Sequence, residues 1–164
     1  CRALEQNATG KRFYARDRVA TIDRGAIRVA PIAPDDDCLT TVRQGALRSY
    51  CGNSALYYEY LSVDEVRTFD TPPNVALLDA DRLRYPLTLR RWREGDRFIP
   101  FGMTGSKKVS DFLVDAKVSM PEKQRQFVLL SGDEIAWLVG RRIDDRYRLT
   151  RGTENVLRIT KEIL

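Results

Sequence analysis

Histidine is absent from all 164 residues, and with it go whole classes of chemistry. No serine or cysteine nucleophile in this chain can draw on a histidine base, and the commonest zinc-ligand set cannot be assembled. Cysteine is scarce. Cys1, Cys38 and Cys51 are odd in number and scattered, which argues against a disulfide framework and points to a reducing, cytoplasmic setting. Long apolar runs are missing as well: nothing approaches the roughly 18 apolar residues a membrane-crossing helix needs, so no membrane partner is expected. The opening stretch CRALEQNATGKR has neither the apolar core of a secretory signal nor an initiator Met, and the chain reads as a piece of something longer.

What is present describes a globular protein, with 43% hydrophobic and 31% charged residues. The length suits one compact domain: residues 1–10 read as the edge of the piece or a linker, and 11–164 as a single β-rich domain. The net charge is +5, and its placement is uneven. Residues 90–151 hold 14 Lys+Arg against 9 Asp+Glu, whereas the remainder balances. A basic surface can serve solubility alone, so the motifs must decide.

The first half reads as strands and turns. VATIDRGAIRVAPI (19–32) alternates on both sides of Arg24-Gly25, a hairpin signal. PIAPDDDC (31–38) is a loop. ALYYEYLSV (55–63) is a strand with Tyr57 and Tyr58 on opposite faces, TFDTPPN (68–74) is a break, and VALLDADRL (75–83) is a short strand. LTLRRW (87–92) alternates apolar and basic residues, which puts Trp92 in the core and Arg91 and Arg93 on the solvent side. Between Lys108 and Lys117, Val109, Phe112, Leu113 and Ala116 form one helical stripe. Ser119 is an N-cap for a shorter helix, with Pro121 and Glu122 in its first turn. FVLLSGDEIAWLVG (127–140) gives two strands about Gly132-Asp133 with Trp137 buried, and RYRLT (146–150) and VLRIT close the chain as strands. The order is α+β, mostly antiparallel β with one or two short helices.

FIPFGMTGSKKVSDFL (98–113) has the look of a phosphate-binding loop, but it fails the test. Counting from Gly102, the second glycine of a P-loop should fall at Lys107, and Lys108 precedes Val109 instead of a hydroxyl. No G-x-G-x-x-G is present. Gly102 and Gly105 still permit positive φ, and Lys107 and Lys108 stand ahead of a helix N-terminus, a setting for an anion without a nucleotide motif. The plain alternative is a tight turn with solvated lysines.

The stretch 87–159 resembles the C-terminal domain of tRNA(Ile)-lysidine synthases. R-x-R-x-G-D-R-F at Arg91, Arg93, Gly95, Asp96, Arg97 and Phe98 is followed by P-x-G-M-x-G at 100–105, KKVSDFLVDAKV at 107–118, a basic Arg125 and EIAWLVGRRID at 134–144. GKRFYARDRVATIDRG and ALLDADRL resemble the upstream region of Bacteroidetes-type members. The resemblance implies a sandwich-like fold related to a module of the phenylalanyl-tRNA synthetase β subunit, contacting a tRNA acceptor stem. It implies a parent enzyme that uses ATP (with Mg) and lysine to modify the wobble cytidine of the minor isoleucine tRNA, anticodon CAU. That chemistry belongs to an N-terminal domain with an S-G-G-x-D-S motif, which is not found here. This piece is therefore expected to hold no active site and no cofactor, with the tRNA and its own catalytic domain as partners. Its oligomeric state stays open.

On this reading Arg91, Arg93, Arg97, Lys107, Lys108, Arg125, Arg141 and Arg142 contact tRNA, and Gly95, Gly102 and Gly105 shape the loop. Arg93 and Arg97 could instead pair with Asp96, Asp111 or Asp115. Arg146 and Arg148 either extend the basic stripe or form a solvated face. Asp96 and Asp111, with no partner base, are not read as catalytic. A domain that positions the catalytic part and hardly touches RNA is the competing possibility.

Overall fold

The structure, a computed structural model, describes residues 12–15, 18–23, 26–31 and 39–164. β1 (Arg12–Ala15), β2 (Arg18–Asp23) and β3 (Ala26–Pro31) form an antiparallel meander. Asp23 faces Ala26, so the hairpin expected about Arg24-Gly25 is present. The expected linker 1–10 and the acidic loop 32–38 lie outside the described residues.

β4 (Thr40–Val42), β5 (Arg48–Cys51), β6 (Ser54–Ser62) and β7 (Val75–Asp79) come next, then β8 (Leu87–Arg91) and the two-residue strands β9 (Arg97–Phe98) and β10 (Lys107–Lys108). Helices α1 (Val109–Asp115) and α2 (Met120–Gln124) precede β11 (Phe127–Ser131), β12 (Glu134–Leu138), β13 (Arg142–Ile143) and β14 (Asn155–Ile163). One sheet has the order β13-β12-β11-β8-β4, a second β5-β6-β14-β7, and β9 pairs with β10. These pairings are antiparallel, and the class is the expected α+β.

β11 shows why the sheets stack as they do. All of FVLLS is buried, because successive side chains leave opposite faces and both faces are covered. Phe127 and Leu129 join Leu87 and Leu89 against Leu56, Tyr58, Leu78, Leu157 and Ile159 of the second sheet. Val128 and Leu130 face the other way, onto Phe98, Val109, Leu113 and Val118. The first sheet is thus the middle of three layers, with the second sheet on one side and the helical segment on the other. Between β11 and β12 the register steps: Leu129 faces Trp137 and Leu130 faces Ile135, so Ala136 is the extra residue of a bulge. Trp137 is buried as expected. Tyr57 and Tyr58 divide between solvent and core, also as expected.

The expected N-cap of α2 is present as a capping box, with Ser119 N and Oγ donating to Glu122 Oε2 at 3.1 and 2.6 Å. α1 ends earlier than its stripe suggested. Ala116 is exposed, and the core position passes to Val118 through a Schellman turn: Val118 N donates to Leu113 O at 3.0 Å and Lys117 N to Val114 O at 2.9 Å. Lys117 occupies the left-handed position at φ 54.

Two strand assignments need correction. VALLDADRL stops at Asp79, whose side chain accepts from Asp81 N and starts a 3-10 turn. RYRLT is not a strand: Asp145–Tyr147 is a 3-10 turn capped by Asp144, with Tyr147 buried and its hydroxyl donating to Glu134 at 2.8 Å. Among the described residues no helix is long and apolar enough to cross a membrane.

Candidate nucleic-acid interface

The R-x-R-x-G-D-R-F stretch is organised around Asp96. The Arg90 guanidinium grips its carboxylate with Nη1 and Nη2 at 2.8 and 2.9 Å, and the Arg93 amide adds a third bond at 2.7 Å. Gly95, at φ 92, makes the turn that brings Asp96 round to Arg93, and Val109 N donates to Asp96 O at 2.9 Å. Burial alone would raise the Asp96 carboxyl; the Arg90 hydrogen bonds, the Arg93 amide and the charges of both arginines outweigh it and hold the group below its ordinary value. Asp96 therefore takes Arg90, a partner outside the pairings left open in the sequence and outside the expected site residues, together with the Arg93 amide. Arg90 is half-buried and carries its charge to a carboxylate six residues on.

The glycine loop is not an open amide cradle. Ile99 N donates to Asp144 Oδ2 at 2.8 Å, Phe101 N to Ile143 O at 3.0 Å, Gly102 N to Asp145 Oδ1 at 3.1 Å and Met103 N to Pro100 O at 2.9 Å. The chain's own carboxylates and carbonyls use these donors. Gly102 needs its φ of 85, whereas Gly105, expected to share that freedom, does not use positive φ. Asp144 is the fully buried centre of this arrangement, and it also accepts from the Arg146 amide and guanidinium at 2.9 Å.

Charge therefore reaches solvent from side chains beside the loop. In the β9–β10 hairpin Lys107 faces Phe98 and Lys108 faces Arg97. Phe98 is buried and Lys107 is half-buried, bound to Asp115 at 2.5 Å. Arg97 and Lys108 share the exposed side. Arg97 is steadied by Ser106, Nε to Oγ at 3.1 Å and Nη2 to the carbonyl at 3.3 Å, while neither cation makes an ion pair among the described residues. Arg142 is exposed, with a long 3.4 Å bond to Phe101 O.

The other expected residues lie elsewhere. Arg93 is exposed at the turn. Arg91, expected on the solvent side, is half-buried with its guanidinium 6.0 Å above the Phe127 ring, because β11 extends alongside it. Arg91, Arg125 and Arg141 come together around one cavity at the end of the sandwich, joined there by Lys161, which no motif singled out. Arg146 and Arg148 do not extend the stripe as free charges: Arg146 pairs with Asp144 and Glu134, and Arg148 with Asp145.

With this geometry in view, the likeness to known proteins is specific. Residues 87–159 match the model of the TilS substrate C-terminal domain family. The tRNA(Ile)-lysidine synthase of Bacteroides thetaiotaomicron is 36% identical over 152 residues, covering 90% of this chain and 32% of that protein. Its counterpart in Parabacteroides distasonis is 52% identical over 96 residues, 56% of this chain and 22% of that one. The chain thus spans a third or less of the length of these relatives. A crystal structure of a TilS C-terminal domain superposes with a TM-score of 0.60 at 21% identity, over 68% of this chain and 85% of that one, a shared fold. An N-terminal fragment of the phenylalanyl-tRNA synthetase β subunit from Pyrococcus horikoshii reaches a TM-score of 0.47 over 53% of this chain and 27% of that one. Residues 87–159 therefore belong to the TilS substrate C-terminal domain family, within a chain whose relatives are tRNA(Ile)-lysidine synthases.

Proposed function

We propose that this chain is the tRNA-recognition part of a tRNA(Ile)-lysidine synthase, and that it meets RNA phosphates through the exposed side of the β9–β10 hairpin. The supporting observation is the Arg97–Lys108 pair. Like charges directly opposite one another across two strands are destabilising, and here neither has a carboxylate to relieve it among the described residues. An anion from outside would turn that cost into attraction. Asp96 and Asp144 fix the turns on both sides of the hairpin, so the cations are carried on a rigid frame.

A duplex RNA stem hides its base edges in a deep, narrow groove and is read largely through phosphates and 2′-hydroxyls. Arg97 offers a fork and Lys108 a point charge for that purpose. In this proposal Arg93 and Arg142 widen the contact on either side, and Lys107 supports the hairpin through Asp115. The RNA is the minor isoleucine tRNA and the region touched is its acceptor stem. The whole enzyme, working in the cytoplasm, would join lysine to the wobble cytidine with ATP and Mg in an N-terminal catalytic domain. The names of the relatives and the linked signature from Arg91 to Asp144 support this reading.

The test is the binding of this chain to the minor isoleucine tRNA beside a minihelix carrying only its acceptor stem. The minihelix is expected to bind within about threefold of the whole tRNA, since phosphate contacts dominate affinity. Binding that needs the anticodon arm and is lost with the minihelix contradicts the acceptor-stem assignment. No binding to either RNA favours the docking role instead.

A further inference from the structure

A cavity of about 370 Å³ opens where the β5–β6 turn, the end of β14 and the C-terminus of α2 meet. Among the described residues four cations line it, Arg91, Arg125, Arg141 and Lys161, against one carboxylate, Glu122. That carboxylate is already engaged by Ser119, whose hydrogen bond is the main reason its carboxyl lies below the ordinary range. Phe127, Val139 and Ile163 supply an apolar wall.

Two of the cations are held there by other residues. Gly140, at φ 76, lies beneath the Lys161 side chain: a Cβ at that position would stand 3.2 Å from Nζ and 3.3 Å from Cδ. The missing side chain at 140 gives the ammonium its place, and Nζ makes no ion pair among the described residues. Arg141 is fixed by Gln126, a glutamine only 5% exposed. Its amide nitrogen donates to Phe127 O and Val139 O at 2.8 and 2.9 Å, which orients Oε1 to accept from Arg141 Nε at 2.7 Å. The two terminal nitrogens of Arg141 make no hydrogen bond among the described residues. An oriented guanidinium, an ammonium and an apolar wall match a phosphate joined to a flat ring. The volume lies at the small end of the ~300–1,000 Å³ typical of ligand pockets, room for one nucleotide and not two.

We infer that this cavity binds a single nucleoside monophosphate unit, its phosphate between Lys161 and Arg141 and its base on the apolar wall. The unit is either a free nucleotide or an unpaired nucleotide of RNA; only the second source rests on the tRNA reading. This contact differs from the hairpin, which meets the backbone of a paired stem.

Calorimetric titration of the chain with cytidine 5′-monophosphate, cytidine and inorganic phosphate tests it. The nucleotide is expected to bind about tenfold more tightly than either part alone, since charge and apolar contacts act together. Lys161→Met keeps the aliphatic stem over Gly140 and is expected to weaken the nucleotide about fivefold at an unchanged thermal midpoint, the loss of one charge-assisted contact. Arg141→Gln is expected to weaken the nucleotide about fivefold as well, at a lower thermal midpoint because the buried Gln126 Oε1 loses its donor. Lys108→Gln should leave nucleotide binding alone. A nucleotide held no better than phosphate, or folded Lys161 and Arg141 variants that bind it normally, overturns the proposal. Competition identifies the source: displacement of the nucleotide by single-stranded RNA but not by a blunt hairpin assigns it to RNA, and displacement by neither assigns it to a free nucleotide. Failure here leaves tRNA binding by the hairpin intact, and a tRNA-binding defect confined to Lys108 variants leaves this pocket intact.

Discussion

Asp144 holds the glycine loop and the 145–147 turn together with one buried carboxylate. Asp144→Ala leaves the Ile99 and Arg146 amides without their acceptor and the Arg146 guanidinium with Glu134 alone, and should lower stability by roughly 2–3 kcal/mol, the cost of donors left unsatisfied away from water; urea unfolding measures it. Asp96 gives a pH signature. Its carboxyl is held below the 3.8 of an unperturbed aspartate, so the unfolded chain takes up the proton more readily than the folded one. Its contribution is complete above that value and is lost as the pH falls through the folded value. Asp96→Asn should therefore flatten the acid limb of the stability profile below about pH 4, read from thermal midpoints across pH. Neither role was legible in the sequence. An aspartate in RRIDDRYR looks solvated because its main partner, Ile99, lies 45 residues away, and Asp96 looked equally suited to Arg93 or Arg97 until the turn at Gly95 selected the Arg93 amide and the β8 arginine, Arg90.

At the level of elements, α1 carries a removable strain. Lys117 holds a left-handed conformation, at φ 54, where glycine is the usual occupant. Lys117→Gly should raise stability by about 0.5–1 kcal/mol, because relief of the steric cost outweighs the added freedom of the unfolded chain; chemical denaturation with an unchanged m-value would show it. The stripe Val109-Phe112-Leu113 was legible because its period is local, and the end of the helix was not, since no glycine announced the turn that returns Val118 to the core. RYRLT misled by its alternation. Its residues satisfy side-chain partners, Arg146 on Asp144 and Tyr147 on Glu134, so the backbone follows those contacts into a 3-10 turn. The β9–β10 hairpin left no trace in the pattern, because two residues per strand have no period to read.

At the scale of the molecule, the last strand ties the chain together. β14 lies between β6 and β7, and β4 adds to the sheet built mainly from residues after 86. The family match begins at residue 87, yet half of the sandwich's inner wall comes from earlier residues, including Leu56, Tyr58 and Leu78. A fragment of residues 87–164 should fail to fold, because β14 loses both neighbours and the middle sheet loses one cover; circular dichroism and amide dispersion in NMR would check this. That dependence was hidden from the sequence because strand order within a sheet is set by packing and cannot be read from alternation along one strand. The uneven charge of residues 90–151, by contrast, was plain in the sequence. What it did not show is how much of that charge is internally neutralised, leaving Arg97 and Lys108 side by side without a counter-ion among the described residues.

The central claim is that this pair meets RNA phosphates, and the most direct test is the salt dependence of tRNA affinity for the parent chain and for an Arg97→Gln/Lys108→Gln variant. Each phosphate contact removed lowers the slope of log affinity against log salt by about one, so the double variant should lose about two and bind more weakly at low salt. An unchanged slope and affinity in a folded double variant would contradict the assignment.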